Sequence, residues 1–257
     1  MKILVIGDVT SPEGIAHLKN NLWKKRAELG IDLCIVNGEN AAFITGISPE
    51  LAEELLQGGA DVITGGNHTM QNKSIYTMLD ESEALVRPIN FGDGAPGRGY
   101  TIVDAAGYRV MVINAMGNVH VEPTLDLPFS YIDRALKREE GKYDVSVLDI
   151  HAEATGEKLA VGYAYDGKIN VIFGTHTHVQ TADEKILPGG TGYITDVGMC
   201  GESDGILGMD AATIVERMKT RLPIRYKAAS GTPVADGVVF TVDTTHKKVT
   251  DIKRIRF

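Results

Sequence analysis

Apolar runs alternate with amphipathic segments through the first ninety residues. Residues 2–7, 32–37 and 61–65 are dominated by apolar side chains, the pattern of strands covered on both faces. Ser11-Pro12-Glu13 opens a helix that runs to about Leu29, with Ser11 as N-cap, Pro12 at the first helical position and Gly30 at the stop. Ser48-Pro49-Glu50 repeats that signal, and the second helix runs to Gln57 before Gly58-Gly59. A third helix is expected over roughly 70–80. Strands alternating with helices imply a parallel sheet joined by right-handed crossovers.

The middle of the chain changes character. Phe91 to Tyr100 is rich in Gly and Pro and reads as loop. Tyr100–Ala105 and Tyr108–Ala115 flank Ala106-Gly107 as a hairpin. A helix over Tyr131–Glu140, a strand over 144–150, a helical stretch near 156–165 and a strand over 170–174 resume the α/β pattern. Lys185–Leu187 and Tyr193–Thr195 flank Pro188-Gly189-Gly190-Thr191-Gly192 as another hairpin. A helix near 210–219 precedes a terminal hairpin of Val234–Val242 and Lys248–Ile255. No linker, repeat or low-complexity tract interrupts the pattern, so one domain over residues 1–257 is expected.

The net charge of −8 argues against a broad interface with nucleic-acid backbone, and no stable nucleic-acid partner is expected. No apolar stretch approaches membrane-spanning length, so no membrane association is expected either. The N-terminal apolar run is too short for a signal peptide. The two cysteines, Cys34 and Cys200, form no disulfide framework, and a reducing cytoplasm is the expected location.

The chemistry lies at the ends of the apolar runs. Asp8 follows Ile3–Ile6, and Glu39 and Asn40 follow Leu33–Val36. Asn67 and His68 follow Val62-Ile63, His151 follows Val145–Ile150, and His176 and His178 follow Val171–Phe173. Open α/β sheets place ligands along their carboxyl edge. One cation rarely uses seven protein ligands from five segments. Two cations sharing a carboxylate would, and Glu39 is the natural bridge. Carboxylate, amide and imidazole together suit Mn, Fe or Zn. If Gly174-Thr175-His176-Thr177-His178 is extended, its two imidazoles share a face and serve one ion each. Asn67 and His68, adjacent in extended chain, would point to opposite sides, with Asn67 a ligand and His68 an acid or electrostatic stabiliser.

Gly7-Asp8, Asn37-Gly38-Glu39-Asn40, Gly66-Asn67-His68, His151 and the Gly-Thr-His-Thr-His segment resemble the calcineurin-like metallophosphoesterase superfamily, and within it the bacterial YmdB-type branch. The resemblance extends to His151–Lys158, Thr177–Asp183 and Asp196-Val197-Gly198-Met199. It implies an α/β fold in which mixed β-sheets are sandwiched between helices, as α/β/β/α layers. It implies one metal on Asp8, Glu39, Asn40 and His178, a second on Glu39, Asn67, His151 and His176, and His68 as the catalytic histidine. The cations would be Fe or Mn, with Zn compatible. The substrates would be small phosphodiesters, 2′,3′-cyclic nucleotides before 3′,5′-cyclic ones, attacked by water activated between the ions. The resemblance also points to a homo-oligomer.

Some positions depart from the family pattern. Most of the superfamily has Asp-x-His where this chain has Asp8-Val9-Thr10, and an Asp where it has Glu39; both departures fit the narrower branch. Phe43-Ile44-Thr45, Met116–His120 and Cys200-Gly201-Glu202 follow the branch less closely and would line the substrate pocket.

Taken singly, Asp8 could be a turn or capping residue and His151 a core histidine; their coincidence with the other ligand types is what points to metal. Asn37 reads as a turn residue, His17 and His246 as surface, and His120 as loop surface with the pocket as its alternative. Glu153, Glu157 and Asp183 read as outer carboxylates, caps or solvated charges rather than ligands, Asp183 as one able to orient an imidazole. Neither a Walker loop nor the Rossmann glycine spacing is present. Two rival functions share the site: a phosphomonoesterase or nucleotidase, and a nucleotide sensor without catalysis.

Overall fold

The structure, a computed structural model, describes residues 1–43 and 46–257. Ile44 and Thr45 of the segment expected to line the substrate pocket lie outside the described residues. The strands are β1 (Lys2–Ile6), β2 (Asp8–Val9), β3 (Leu33–Asn37), β4 (Val62–Thr64), β5 (Leu85–Val86), β6 (Tyr100–Ala105), β7 (Tyr108–Met116), β8 (Val145–His151), β9 (Val171–Thr175), β10 (Lys185–Ile186), β11 (Gly192–Ile194), β12 (Met199–Met209), β13 (Ala228–Asp243) and β14 (Lys248–Arg256). The helices are α1 (Pro12–Leu29), α2 (Pro49–Gln57), α3 (Tyr76–Glu81), α4 (Phe129–Arg138), α5 (Thr155–Ala164) and α6 (Ala211–Thr220).

Capping chemistry sets the first two helices. Ser11 Oγ accepts from Gly14 N, and Ser48 Oγ accepts from Leu51 N, so each serine satisfies a free amide of the first turn. Gly30 ends α1 at φ 65°, a left-handed conformation that glycine takes without a Cβ penalty. The helix expected over 70–80 is shorter: a 3₁₀ turn, Lys73–Ile75, leads into α3.

Two sheets stack face to face. The first runs β2-β12-β13-β1-β3-β4-β5, with β14 beside β13; the second runs β10-β11-β9-β8-β7-β6. In the first, β1, β3, β4 and β5 are parallel and β13 is antiparallel to β1. In the second, β7, β8, β9 and β11 are parallel, and β6 and β10 are antiparallel edge strands.

The period of two along each strand builds the layers. Ile3 and Val5 of β1, Leu33 and Ile35 of β3, Val145 and Val147 of β8, and Val171 and Phe173 of β9 meet between the sheets. Their alternates, Leu4 and Ile6, Cys34 and Val36, face outward onto Ile15 and Leu18 of α1 and Leu55 of α2. Leu148, Ile150 and Ile172 face the other way, onto Ile132 of α4 and Val161 of α5. The order is therefore helix, sheet, sheet, helix, as the family resemblance implies.

Three elements escaped the sequence pattern. β2 and β5 are two residues each, too short for any period. β12 is rich in Gly and acidic residues and bulges twice against β13, so its side chains do not alternate cleanly. Among the described residues, no helix is long and apolar enough to cross a membrane.

Candidate metal centre

Close backbone packing delivers the candidate ligands to one place. A Cβ at Gly7, just before Asp8, would overlap the Gly198 carbonyl. Asn37, at the end of β3, accepts Glu39 N at 3.1 Å on Oδ1 and donates from Nδ2 to Gly65 O and Asp149 Oδ2, each at 3.0 Å. That turn points Glu39 inward, and Asn37 takes the turn role expected of it. A Cβ at Gly66 would overlap both Glu39 Oε2 and His151 Nε2. Gly66→Ala should therefore lower metal occupancy at unchanged helix content, with affinity down roughly 10–100-fold, the scale of losses when a ligand's support is disturbed. Metal content per chain checks it.

Glu39 is buried at the centre of two groups. In one, His151 Nε2 lies 3.2 Å from Glu39 Oε1, 2.9 Å from Asn67 Oδ1 and 3.1 Å from His176 Nδ1. The facing ligand atoms of Glu39, His151 and His176 all lie within 4.8 Å of one another. In the other group, His178 Nε2 lies 3.7 Å from Asp8 Oδ1 and 3.3 Å from Asn40 Nδ2, which donates to Glu39 Oε1 at 2.8 Å. The seven residues thus lie in two neighbouring groups with Glu39 between them. Asn40 presents its NH₂ to this group, so coordination requires its amide to turn over, and the two orientations have nearly the same shape.

The imidazoles are oriented from outside. His151 Nδ1 is 2.9 Å from Thr175 Oγ1, which spends its own proton on Asp149 Oδ1 at 2.7 Å. His176 Nε2 is 3.2 Å from Glu153 Oε2, and His178 Nδ1 is 3.2 Å from Leu207 O. Each outer nitrogen thus meets an acceptor, which leaves the inner nitrogen's lone pair facing the centre. His151 Nε2 and His176 Nδ1 then confront each other at 3.1 Å, an arrangement that only a proton or a cation between them relieves.

A second observation fits cations as well. Asp8 Oδ2 accepts His176 N at 3.0 Å, but Oδ1 is buried and accepts no hydrogen bond from the described residues. An orphaned buried carboxylate oxygen is costly and demands a partner. The donor set of nitrogen and oxygen without thiolate matches transition-metal chemistry.

Electrostatics lead the same way. Burial raises the Asp8 carboxyl. Burial would also raise Glu39, but the neighbouring His151 and His68 hold it well below the usual range. Burial disfavours a charged His151, yet Glu39 and Asp8 outweigh it and push that imidazole up to about 9. Burial and the charge on His151 push His176 down to about 3. Cation binding must therefore expel a proton from His151. Because the His151 pKa is raised, apparent metal affinity should climb as pH rises toward about 9. Calorimetry in buffers of different ionisation heat should record the released proton; an affinity flat from about pH 6 to 9 would contradict this.

His68 stands apart from the ligands. Its Nδ1 is 2.7 Å from Asn40 Oδ1 and 3.4 Å from Glu39 Oε1, and its side chain is 25% exposed. Its backbone N–H donates to Glu39 Oε2 at 2.8 Å.

Several sequence expectations need correction. The His-x-His segment is not extended: His176 and His178 have φ of 98° and 62°. Non-glycine residues there cost on the order of 1–3 kcal/mol each. The two imidazoles still reach different groups, through a turn rather than a shared strand face. Asn67 and His68 likewise lie in a turn, and it is the turn that sends them to different partners. Asp183 orients no imidazole. It accepts from Thr181 Oγ1 at 2.6 Å and Thr195 N at 3.1 Å, and so braces the segment after His178. His120 is exposed, as expected, while Glu157 accepts Asn118 N at 3.0 Å.

The residue that sequence reasoning missed is Asp196. It is buried and accepts Lys158 Nζ at 2.7 Å, Thr177 N at 3.1 Å, Thr177 Oγ1 at 2.7 Å and Gly198 N at 2.9 Å. It pins the residue between the two histidines and so holds the strained turn. The signal was present in Asp196-Val197-Gly198-Met199 and Lys158, both within the family-like stretches, but no local pattern says what they touch.

Residues 4–255 match the model of the YmdB-like protein family. The chain belongs to that family. A Bacillus subtilis (strain 168) relative, a 2′,3′-cyclic-nucleotide 2′-phosphodiesterase, is 46% identical over 255 residues, covering 99% of this chain and 96% of the relative. The crystal structure of a hypothetical protein from Thermus thermophilus superposes with a TM-score of 0.91 at 36% identity, covering 100% of this chain and 99% of that one. That of a novel phosphatase from Mycoplasma pneumoniae gives 0.92 at 32% identity, covering 100% and 93%. This YmdB-like protein has the calcineurin-like metallophosphoesterase fold. That fold implies divalent metal ions, and Glu39, His151 and His176 form a candidate site for one.

Proposed function

We propose that this YmdB-like protein is a metal-dependent phosphodiesterase acting on small phosphodiesters, 2′,3′-cyclic nucleotides first and 3′,5′-cyclic nucleotides second. The observation that carries the reading is the convergence of Asp8, Glu39, His151, His176 and His178 with a bare carboxylate oxygen and two facing imidazole nitrogens. Asp8, Glu39, Asn40 and His178 would hold one cation, and Glu39, Asn67, His151 and His176 the other. Fe or Mn suits these ligands best, with Zn compatible. Such a cation pair supplies Lewis acidity, activating water and drawing charge from phosphoryl oxygens.

The chain's own residues do the rest. His68 protonates the departing ribose oxygen, a contribution typically of about 10²–10⁴-fold. Asp196 and Lys158 keep the His176–His178 turn in place.

The relative from B. subtilis supports cyclic nucleotides as the substrate class. Two buried free thiols suit the cytoplasm, and the family resemblance supports a homo-oligomer built from single-domain chains. With Mn²⁺ loaded, 2′,3′-cyclic AMP should be hydrolysed, and bis-p-nitrophenyl phosphate should be cleaved faster than p-nitrophenyl phosphate. Faster monoester cleavage would replace the reading with a phosphomonoesterase. Tight binding without turnover would replace it with a sensor.

A further inference from the structure

Away from the metal centre, the segment following β5 and one face of α4 border an open cavity of about 680 Å³. Its walls carry four arginines, Arg87, Arg98, Arg134 and Arg138, against one carboxylate, Asp93. Tyr131, Arg134 and Arg138 stand at helical spacing on α4, so they present one face. No candidate metal ligand lines this cavity. In a chain with a net charge of −8, four guanidiniums around one hollow run against the overall balance.

The arginines are poorly neutralised. Arg87 is only 6% exposed, yet no carboxylate of the described residues lies within 4.0 Å of it. Its Nε donates to Pro96 O and its Nη1 to Pro88 O, which uses two of the five N–H donors a guanidinium carries. Burial lowers its pKa, and Asp93 and Asp80 act on it only from beyond ion-pair distance, so an anion in the cavity would relieve a charge that no close carboxylate neutralises. Arg134 stacks on the Tyr131 ring at 4.5 Å and forms no ion pair among the described residues. Arg98 has Glu83 at 3.8 Å and the Asp80 carbonyl at 3.4 Å, and Arg138 has Glu139 at 3.5 Å.

We propose that this cavity is a second ligand site, for a multiply phosphorylated small molecule of nucleoside-polyphosphate size. Arginine forks match phosphoryl oxygens bidentately. The volume falls within the range of small-ligand sites, and a lone orthophosphate would fill little of it. This goes beyond the proposed phosphodiesterase activity and does not depend on it.

The test is calorimetric titration of the metal-loaded, full-length protein with inorganic pyrophosphate, set against orthophosphate. Pyrophosphate is expected to bind more tightly than orthophosphate, and more weakly as salt rises. Asp8→Asn should leave a pyrophosphate site of unchanged affinity. The exposed pair R134E/R138E should weaken it at least ~10-fold while turnover and metal content stay at parental levels. Arg87→Met should lose it as well; should that variant fail to fold, the exposed pair carries the test. Absence of saturable binding would overturn the site. So would binding that is lost in Asp8→Asn, or that survives R134E/R138E in the Asp8→Asn background, since the anion would then sit elsewhere than among these arginines.

Discussion

Glu39→Gln is expected to abolish turnover, by more than ~10²-fold, since even disturbing the outer partners of metal ligands costs 10–100-fold. The substitution keeps the shape of the side chain and removes its charge. Glu39 reaches into both groups: His151 at 3.2 Å in one and Asn40 at 2.8 Å in the other, with the His68 amide at 2.8 Å. With a neutral amide there, the group that holds His151 at a pKa of about 9 is gone, and so is the one carboxylate able to serve both cations. Metal content should fall from two ions per chain to one or none, while the circular dichroism of the metal-free protein stays that of the parent. Undiminished turnover at reduced metal content would show that Glu39 bridges nothing.

The second large effect is expected at His68. His68→Ala should retain both ions and lose about 10²–10⁴-fold in turnover, the usual contribution of a positioned acid. The loss should shrink for substrates with a good leaving group, such as bis-p-nitrophenyl phosphate, because nitrophenolate needs no proton. Its imidazole meets Asn40 and Glu39 but lies in neither of the two ligand groups, which is why metal should stay. Loss of metal in His68→Ala would make it a ligand and leave the leaving group without an acid.

Much of this centre is legible in the order of residues along the chain. Ligand-type residues at the ends of β1, β3, β4, β8 and β9 follow from the physics of parallel sheets, whose carboxyl edge gathers loops. That each strand is covered on both faces is legible too, although a second sheet as one of the covers is what the family resemblance alone implies. Ile3 and Val5 face one way and Leu4 and Ile6 the other, so each strand must be covered twice.

What the chain hid was non-local. The left-handed turns at His176 and His178 run against residue preference, and they persist because Asp196, itself held by Lys158, accepts from Thr177 between them while Asp8 accepts His176 N. The extended His-x-His was a sound local inference defeated by tertiary contacts. β12 was hidden because its glycines and acids carry no period, although its partner β13 was visible. Arg87 stood in no recognised motif, and its burial appears only when the segment after β5 folds against α4.

The most direct measurement is anomalous diffraction from crystals soaked in Mn²⁺. Two peaks about 3.5–4 Å apart are expected, the separation typical of two-metal sites. One should lie against Asp8 and His178, the other against His151 and His176, with Glu39 touching both. A single peak, or two peaks with Glu39 turned away from either, would contradict a shared dinuclear centre.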